Sequence, residues 1–335
     1  MSRAQLLRRL LLTIPTLFGV ALIVFILLRV VPGDPIAMML PPGAGEEDIA
    51  RLRALYGLDR PILEQFLVWL GDAIGGDFGN SISLRQDVLS LVFSRLPATL
   101  ELAFVAVVLA ILLGTSMALV GVYGARRLPE WIVDAVNGVL LAIPDFLWGL
   151  VFILAVVVLG WGLPISGRID PRLDIDWATQ FWILESIVRL DVDTLGVLLR
   201  HILLPAIALA LPLAAIITRV LKASLMEAMA QDYVQMARLK GLSRGRIIVR
   251  EALRNAAIPT VTLTGVQLTF LVGGTVLIER IFAYQGIGNM AIDAVINRDL
   301  PLIQGLILTF AVLFIVINLA VDLTYAALNP RLRRG

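Results

Sequence analysis

Two features of this chain place polar chemistry where it is costly. Asp145 follows Pro144 inside an apolar run, and "DYVQMARLKGLSRGR", from Asp232 to Arg246, is a basic segment with a glycine at its centre. A carboxylate in a low-dielectric layer must face water, a partner charge or a passing cation. Asp145, beside a helix-perturbing proline, is therefore a candidate path-lining charge, and Gln267 is a second candidate. The bland reading of Asp145 is an acid at a span end near the inner surface. Glu101, Glu279 and Asp322 fall near span boundaries, where hydrated or paired acids are ordinary. Gly273 and Gly274 suit close helix packing. One histidine, His201, and no cysteine exclude a histidine-rich metal site and thiol chemistry.

The elements that must position these residues follow from composition. Of 335 residues, 59% are hydrophobic and 16% charged, and mean hydropathy is +0.90. Soluble chains carry about 25% charged residues, so an integral membrane protein is expected. A span needs roughly 20 apolar residues to cross about 30 Å. Six stretches qualify: Leu10–Val31, Thr99–Tyr123, Ile132–Gly160, Ile202–Leu221, Pro259–Ile281 and Pro301–Leu323. The first is too long for a signal-peptide core and "RVVPGDP" offers no cleavage site, so it reads as an uncleaved span. With the N-terminus inside, the inner segments hold sixteen Lys and Arg against four acids. The outer loops 32–97 and 161–200 hold five and four arginines against nine and six acids. That asymmetry sets orientation and gives no reason to infer nucleic-acid binding. In the first outer loop, 57–70 has apolar residues at helical spacing, which predicts an interfacial amphipathic helix. A weaker stripe runs through Met290, Ile292, Val295 and Ile296.

The basic segment then falls in the longest inner loop. Leu225, Met229, Tyr233 and Met236 recur every three or four residues, as one helix face does. Gly241 follows Lys240 where a left-handed C-cap is expected. Ser243 can cap a second helix with an apolar side at Ile247, Ile248, Ala252 and Leu253. Asn255 can cap the next start, and Pro259 can open the fifth span. The result is helix, sharp glycine turn, helix, joined to a span at each end. Such an elbow either rests on headgroups or docks a partner and transmits a push. A DNA-binding helix-turn-helix is disfavoured by tethering between spans.

Residue runs throughout the chain resemble one family. They are "LLRRLLLTIPTLFGVALIVFILLRVVPGDP", "LYGLDRPILEQFLVWLGDAIGGDFGNSI", "SRLPATLELA", "DYVQMARLKGLS", "ALRNAAIPTVTLTGVQ", "LVGGTVLIERIF", "RDLPLIQG" and "NLAVDLTYAALNPRLR". Together, in this order and spacing, they are similar to inner-membrane permeases of binding-protein-dependent ABC importers, in the dipeptide, oligopeptide and nickel branch. The resemblance implies an all-α, type I importer permease with six transmembrane helices and a cytoplasmic coupling helix pair, the EAA loop. Asp232, Tyr233, Ala237, Arg238, Lys240, Gly241 and Leu242 match the branch form of that loop. The general motif's acid is absent at Gln235. Ala237 and Leu242 are expected to form a compact knob for an ATPase groove.

The implied partners are a homologous second permease, two ATPase subunits, an external solute-binding protein and membrane lipid. The chain lacks a phosphate-binding loop of the G-x-x-x-x-G-K-[ST] type. No cofactor is expected on it; ATP and Mg belong to the partner ATPases. Residues 1–31 are expected to form the N-terminal tail and first transmembrane helix, and 32–97 an external loop. The expected permease core is 98–335, including the coupling loop 222–258. Both termini are expected in the cytoplasm, with the chain in the bacterial inner membrane. The alternative is a secondary transporter or channel working alone, which would need coupling-ion acids or a filter within its spans. A membrane scaffold is a further alternative, disfavoured by the basic elbow. Peptide is the default cargo of the branch; nickel, sugars, opines and glutathione stay open.

Overall fold

The computed structural model describes residues 3–30, 45, 47, 50–51, 59–125, 127–173, 175 and 177–328. Among them the elements are helices: α1 Arg3–Val30, α2 Ile62–Ile74, α3 Val88–Tyr123, α4 Leu128–Ala142, α5 Asp145–Leu159, α6 Trp182–Arg189, α7 Val192–Met229 and α8 Asp232–Leu239. They continue with α9 Arg244–Ile281, α10 Ile287–Ile296 and α11 Leu300–Leu328. Among the described residues, five helices (α1, α3, α7, α9, α11) are long and apolar enough to cross a membrane, and α4 with α5 makes a sixth if the pair crosses as one.

Three corrections to the expected spans have local causes. The third span is two helices bent by 103°. Ile143, preceding Pro144, adopts φ −100°, ψ 121°, because the proline ring disfavours the α region for the residue before it. Second, α3 and α7 reach well beyond the apolar windows. Asp87 accepts from Ser90 N at 2.7 Å and Asp191 accepts from Thr194 N at 3.0 Å, so each satisfies a free donor at a helix start. Third, Asn255 and Pro259 are not at a helix start. They lie inside α9, which enters its span through a π-helical stretch, Ile247–Ala252. Pro205 and Pro212 likewise sit within an unbroken α7.

The chain divides into two compact units. The first, residues 97–288 with 317–335, is built around α7. Ala206, Ala208, Ala210 and Ala214 are fully buried there, and small side chains let neighbouring backbones approach. At Gly114 on α3 an added Cβ would lie 2.7 Å from the Ala214 carbonyl, so that crossing needs glycine.

In the second unit, residues 2–96 with 289–316, the interfacial helix expected over 57–70 forms as Ile62–Ile74; Gly57 and Leu58 lie outside the described residues. Phe66 inserts between Phe18 and Phe25 of α1, with ring centroids 5.8 and 5.3 Å away. Asp299 caps α11 and collects Ser81 Oγ at 2.6 Å, Ser83 N at 2.9 Å and Ser83 Oγ at 2.7 Å. Burial pushes its carboxyl up, but these hydrogen bonds outweigh burial and hold it below its ordinary range. The weaker stripe seen in the sequence is realised as α10.

Candidate functional site

The loop 230–243 folds into a tight elbow between α7 and α9. Gly241 has φ +76°. Its N–H donates to the Arg238 carbonyl at 2.9 Å and the Leu242 N–H donates to the Ala237 carbonyl at 3.2 Å. This pair of bonds is a Schellman ending, in which a left-handed residue lets the chain reverse and answers two orphan carbonyls. No atom lies within 4 Å of a Cβ added at Gly241. The requirement for glycine is therefore conformational, not steric. Ser243 sits at the N-cap of the returning helix, but its side chain makes no cap bond, contrary to expectation.

The elbow's faces differ from those read in the sequence. The α7 helix stops at Met229 and α8 starts at Asp232, with Gln231 extended between them. That break rotates the register, so Leu225 is buried while Tyr233 and Met236 face outward. Val234, Ala237 and Ile247 form a small core, with Leu242 and Met229 against it. Ala237, at 6% exposed, is thus inside the elbow, and the expected knob of Ala237 and Leu242 is corrected. The outward apolar stripe is Tyr233, Met236 and Leu239, the last 83% exposed. Leu239 was missed, although it continues the three-residue spacing of the first two. Asp232, Arg238 and Lys240 are exposed around that stripe.

Asp145 occupies the first position of α5, at the bend. Its Oδ1 accepts from Phe146 N at 2.7 Å, and a carboxylate at a helix start is favoured by the helix dipole. Its Oδ2 would lie 2.8 Å from a Cβ added at Gly274 of α9, with Leu209 of α7 next to it. Gly274 therefore makes room for the carboxylate, while Gly273 faces open space. Gly274 is two helical turns, about 10 Å, from the end of α9, so Asp145 starts a helix yet packs beside the body of α9. Gln267 is half-buried and two turns further along the same face of α9. Both polar candidates thus share one side of that helix.

Two of the three boundary acids, Glu101 and Glu279, are buried, and Asp322 is half-buried. Glu101 pairs with Arg168 at 2.8 Å, at 8% and 3% side-chain exposure, and also accepts from Ile183 N at 2.8 Å. Arg168 bonds the Gln180 carbonyl at 2.6 Å and stacks 4.1 Å from the Trp182 ring centroid. Glu279 is fully buried and accepts from Thr99 Oγ1 at 2.7 Å. Tyr284 lies buried beside them, and burial pushes its phenol up. Arg168 had read only as a loop cation. No signal in the sequence separates it from its exposed neighbours, because its partner is 67 residues away.

This arrangement of membrane helices around a glycine elbow is the fold of an ABC importer permease. Two inward-facing structures of the MetNI methionine ABC transporter match it with TM-scores of 0.54 and 0.51. Identities are 15% and 17%, and coverage is 71% and 69% of this chain and 96% and 93% of theirs. Residues 110–334 match the binding-protein-dependent transport system inner membrane component family, and residues 1–103 match its N-terminal companion. The chain belongs to that family. It is a multi-pass inner-membrane permease subunit of an ABC importer and not an enzyme. Such an importer also contains a partner permease, an ATPase and a solute-binding protein. Among its relatives, the di/tripeptide transport permease DppB of Pseudomonas aeruginosa is 40% identical over 97% of both chains. The dipeptide permease DppB of Escherichia coli K12 is 37% identical over 98% of both, and the glutathione permease GsiC of the same strain 35% over 97% of both.

Proposed function

We propose that this chain forms half of the membrane path for di- or tripeptides delivered by a solute-binding protein. It pairs with a homologous permease, and its elbow docks one of two ATPase subunits that bind ATP and Mg. Residues 98–335 make up the permease core, with 222–258 as the coupling loop and both termini cytoplasmic. The observation that carries this reading is the Schellman turn at Gly241, which closes a short elbow set between α7 and α9, both long and apolar enough to cross a membrane. A rigid elbow of that kind moves α7 and α9 when its tip is moved. The full-length likeness to peptide permeases supports the cargo class, and the inner excess of Lys and Arg supports the orientation.

Docking rests on the exposed Tyr233, Met236 and Leu239, with Asp232, Arg238, Lys240 and Leu242 around them and Ala237 and Gly241 holding their shape. Burying an apolar side chain is worth about 1.5–3 kcal/mol, whereas an exposed ion pair is worth about 0–1 kcal/mol. Leu239→Asp is expected to lower the ATPase retained on the purified permease about tenfold or more, and Lys240→Gln to change it less than threefold. Co-purification in detergent measures both.

Asp145 and Gln267 line the path in this reading. Asp145 attracts the ammonium end of cargo without holding it tightly. The deciding experiment reconstitutes the importer with its binding protein and measures ATP-driven uptake of labelled di- and tripeptides. Asp145→Asn is expected to reduce uptake of lysine-containing peptides several-fold more than that of Ala-Ala, with assembly unchanged. Absence of peptide uptake by the wild type overturns the cargo assignment. Equal effects on both peptides remove Asp145 from the path.

A further inference from the structure

The elbow is fastened to a third long helix, one to which the chain does not connect it. Arg244, the first residue of α9, donates from Nη2 to the Val122 carbonyl at 3.0 Å. Val122 is the next-to-last residue of α3. Its carbonyl is one of the last four of that helix, which have no partner inside it. It also accepts from Ala125 N at 3.2 Å. The Arg244 guanidinium carbon lies 6.0 Å from the Tyr123 ring centroid. A Cβ added at Gly245 would lie 4.0 Å from Tyr123 Cε2, so the returning arm runs close against the ring. A cation at a helix C-terminus answers a free carbonyl and meets the negative end of the helix dipole. The sequence marked Arg244 only as an inner cation, because its acceptor is 122 residues away.

Apolar packing continues this joint. Ala118 and Val122 of α3 share a buried cluster with Leu221 and Leu225 of α7 and Ile248 and Ala252 of α9. The last two belong to the π-helical stretch, a departure from α-helical register that is found mostly at functional sites. Further along α3, the Gly114 carbonyl accepts from Thr218 Oγ1 of α7 at 3.2 Å. Near its start, α3 carries Thr99, bonded to Glu279 of α9, and Glu101, paired with Arg168. Glu101 and Val122 lie on one continuous helix, about 30 Å apart. That helix therefore meets the elbow at one end and the buried acids at the other.

We propose that Arg244 is a positioning residue for transport. It clamps the elbow to the end of α3, so that displacement of the elbow carries α3 along with α7 and α9 and reaches the buried acids. The proposal rests on the docking role given to the elbow above. Two of the elbow's three joints are covalent, the break before α8 and the π-helical entry to α9. The third is a polar bond from an exposed side chain, and it alone can be cut without touching the backbone. Tyr233, Met236 and Leu239 lie on the other arm of the elbow. Cutting the clamp thus leaves the ATPase contact in place while α3 no longer follows. The consequence is lost coupling, not lost docking.

The test measures three quantities for the complete importer: ATPase retained on the purified permease, binding-protein-stimulated ATP hydrolysis in proteoliposomes, and peptide uptake. Arg244→Gln is expected to hold retention and hydrolysis within about twofold of wild type and to raise the ATP spent per peptide about tenfold. Arg244→Lys keeps a cation and a donor at the helix end and is expected to recover most of that ratio. Tyr123→Leu leaves the guanidinium and removes the ring beside it; the ratio is expected to rise about threefold. A wild-type ratio in Arg244→Gln overturns the clamp. So does a parallel fall of hydrolysis and uptake at constant ratio, which marks a merely structural contact, and so does loss of ATPase retention, which moves Arg244 into the docking surface. Leu239→Asp separates the two claims. ATPase retained by that variant sinks the docking reading, and ATPase lost from it while Arg244→Gln keeps the wild-type ratio sinks the clamp alone.

Discussion

Gly241→Val is expected to leave membrane insertion and subunit assembly intact while lowering binding-protein-stimulated ATP hydrolysis and uptake together by about five- to thirtyfold. The reason is local. Gly241 holds φ +76°, a region where a side chain costs about 1–2 kcal/mol and a β-branched one more. Space is not the obstacle, since nothing lies within reach of the new Cβ. If valine rotates the backbone out of that region, the bonds from Gly241 N to Arg238 O and from Leu242 N to Ala237 O are lost together. The small core of Val234, Ala237 and Ile247 then loosens, and the Tyr233–Met236–Leu239 stripe loses its fixed direction. Gly241→Asn discriminates between shape and backbone strain, because asparagine enters the left-handed region more readily; it is expected to recover most of the activity. The measurement is ATP hydrolysis and uptake by the complete importer in proteoliposomes. Wild-type values for both in the valine variant remove the elbow from the drive train.

Arg168→Ala is expected to give the largest loss of stability, about 3–5 kcal/mol. The substitution strands the Glu101 carboxylate at 8% exposure without its cation, and it also removes the contacts to the Gln180 carbonyl and the Trp182 ring. A buried charge without a partner costs far more than a missing surface pair. Replacing both partners, with Arg168→Met and Glu101→Gln, is expected to restore most of the loss, since neither charge is then buried without its partner and the glutamine oxygen can still accept from Ile183 N. Thermal unfolding of the purified chain in detergent compares the three proteins. A single variant that melts with the wild type shows that the pair carries no net stability, and a double variant no better than the single shows that packing around Trp182 is what matters.

These two residues mark how far the sequence reached. Gly241 was legible in it because a Schellman ending is a short-range device. A helical stripe, a lysine and then a glycine specify it within a dozen residues, and the structure adds only the bonds. The membrane class and most spans were legible for a similar reason, since burial in hydrocarbon demands long apolar runs that composition alone exposes. The outward stripe was only partly legible. Periodicity locates a face within one helix, but the break at Ala230–Gln231 resets the phase between α7 and α8. Ala237 therefore turned inward and Leu239 outward, against the expected knob.

Long-range pairing was left to tertiary structure. Arg168 meets Glu101 across 67 residues, and Thr99 meets Glu279 across 180, separations that no local pattern encodes. The bend at Pro144 is an intermediate case. Its proline signals a perturbation, but a proline within a membrane helix is also compatible with an unbroken helix, as Pro205 and Pro212 in α7 demonstrate. What distinguishes them is the surroundings. Pro205 is buried and Pro212 half-buried within the continuous α7. Pro144 is exposed, and the helix is free to turn and set Asp145 over the vacancy that Gly274 provides. Sequence thus determined what each segment needs from its solvent, because hydropathy and turn chemistry act within a few residues. Only the packed structure decided which charges are answered, because pairing depends on which helices come to lie side by side.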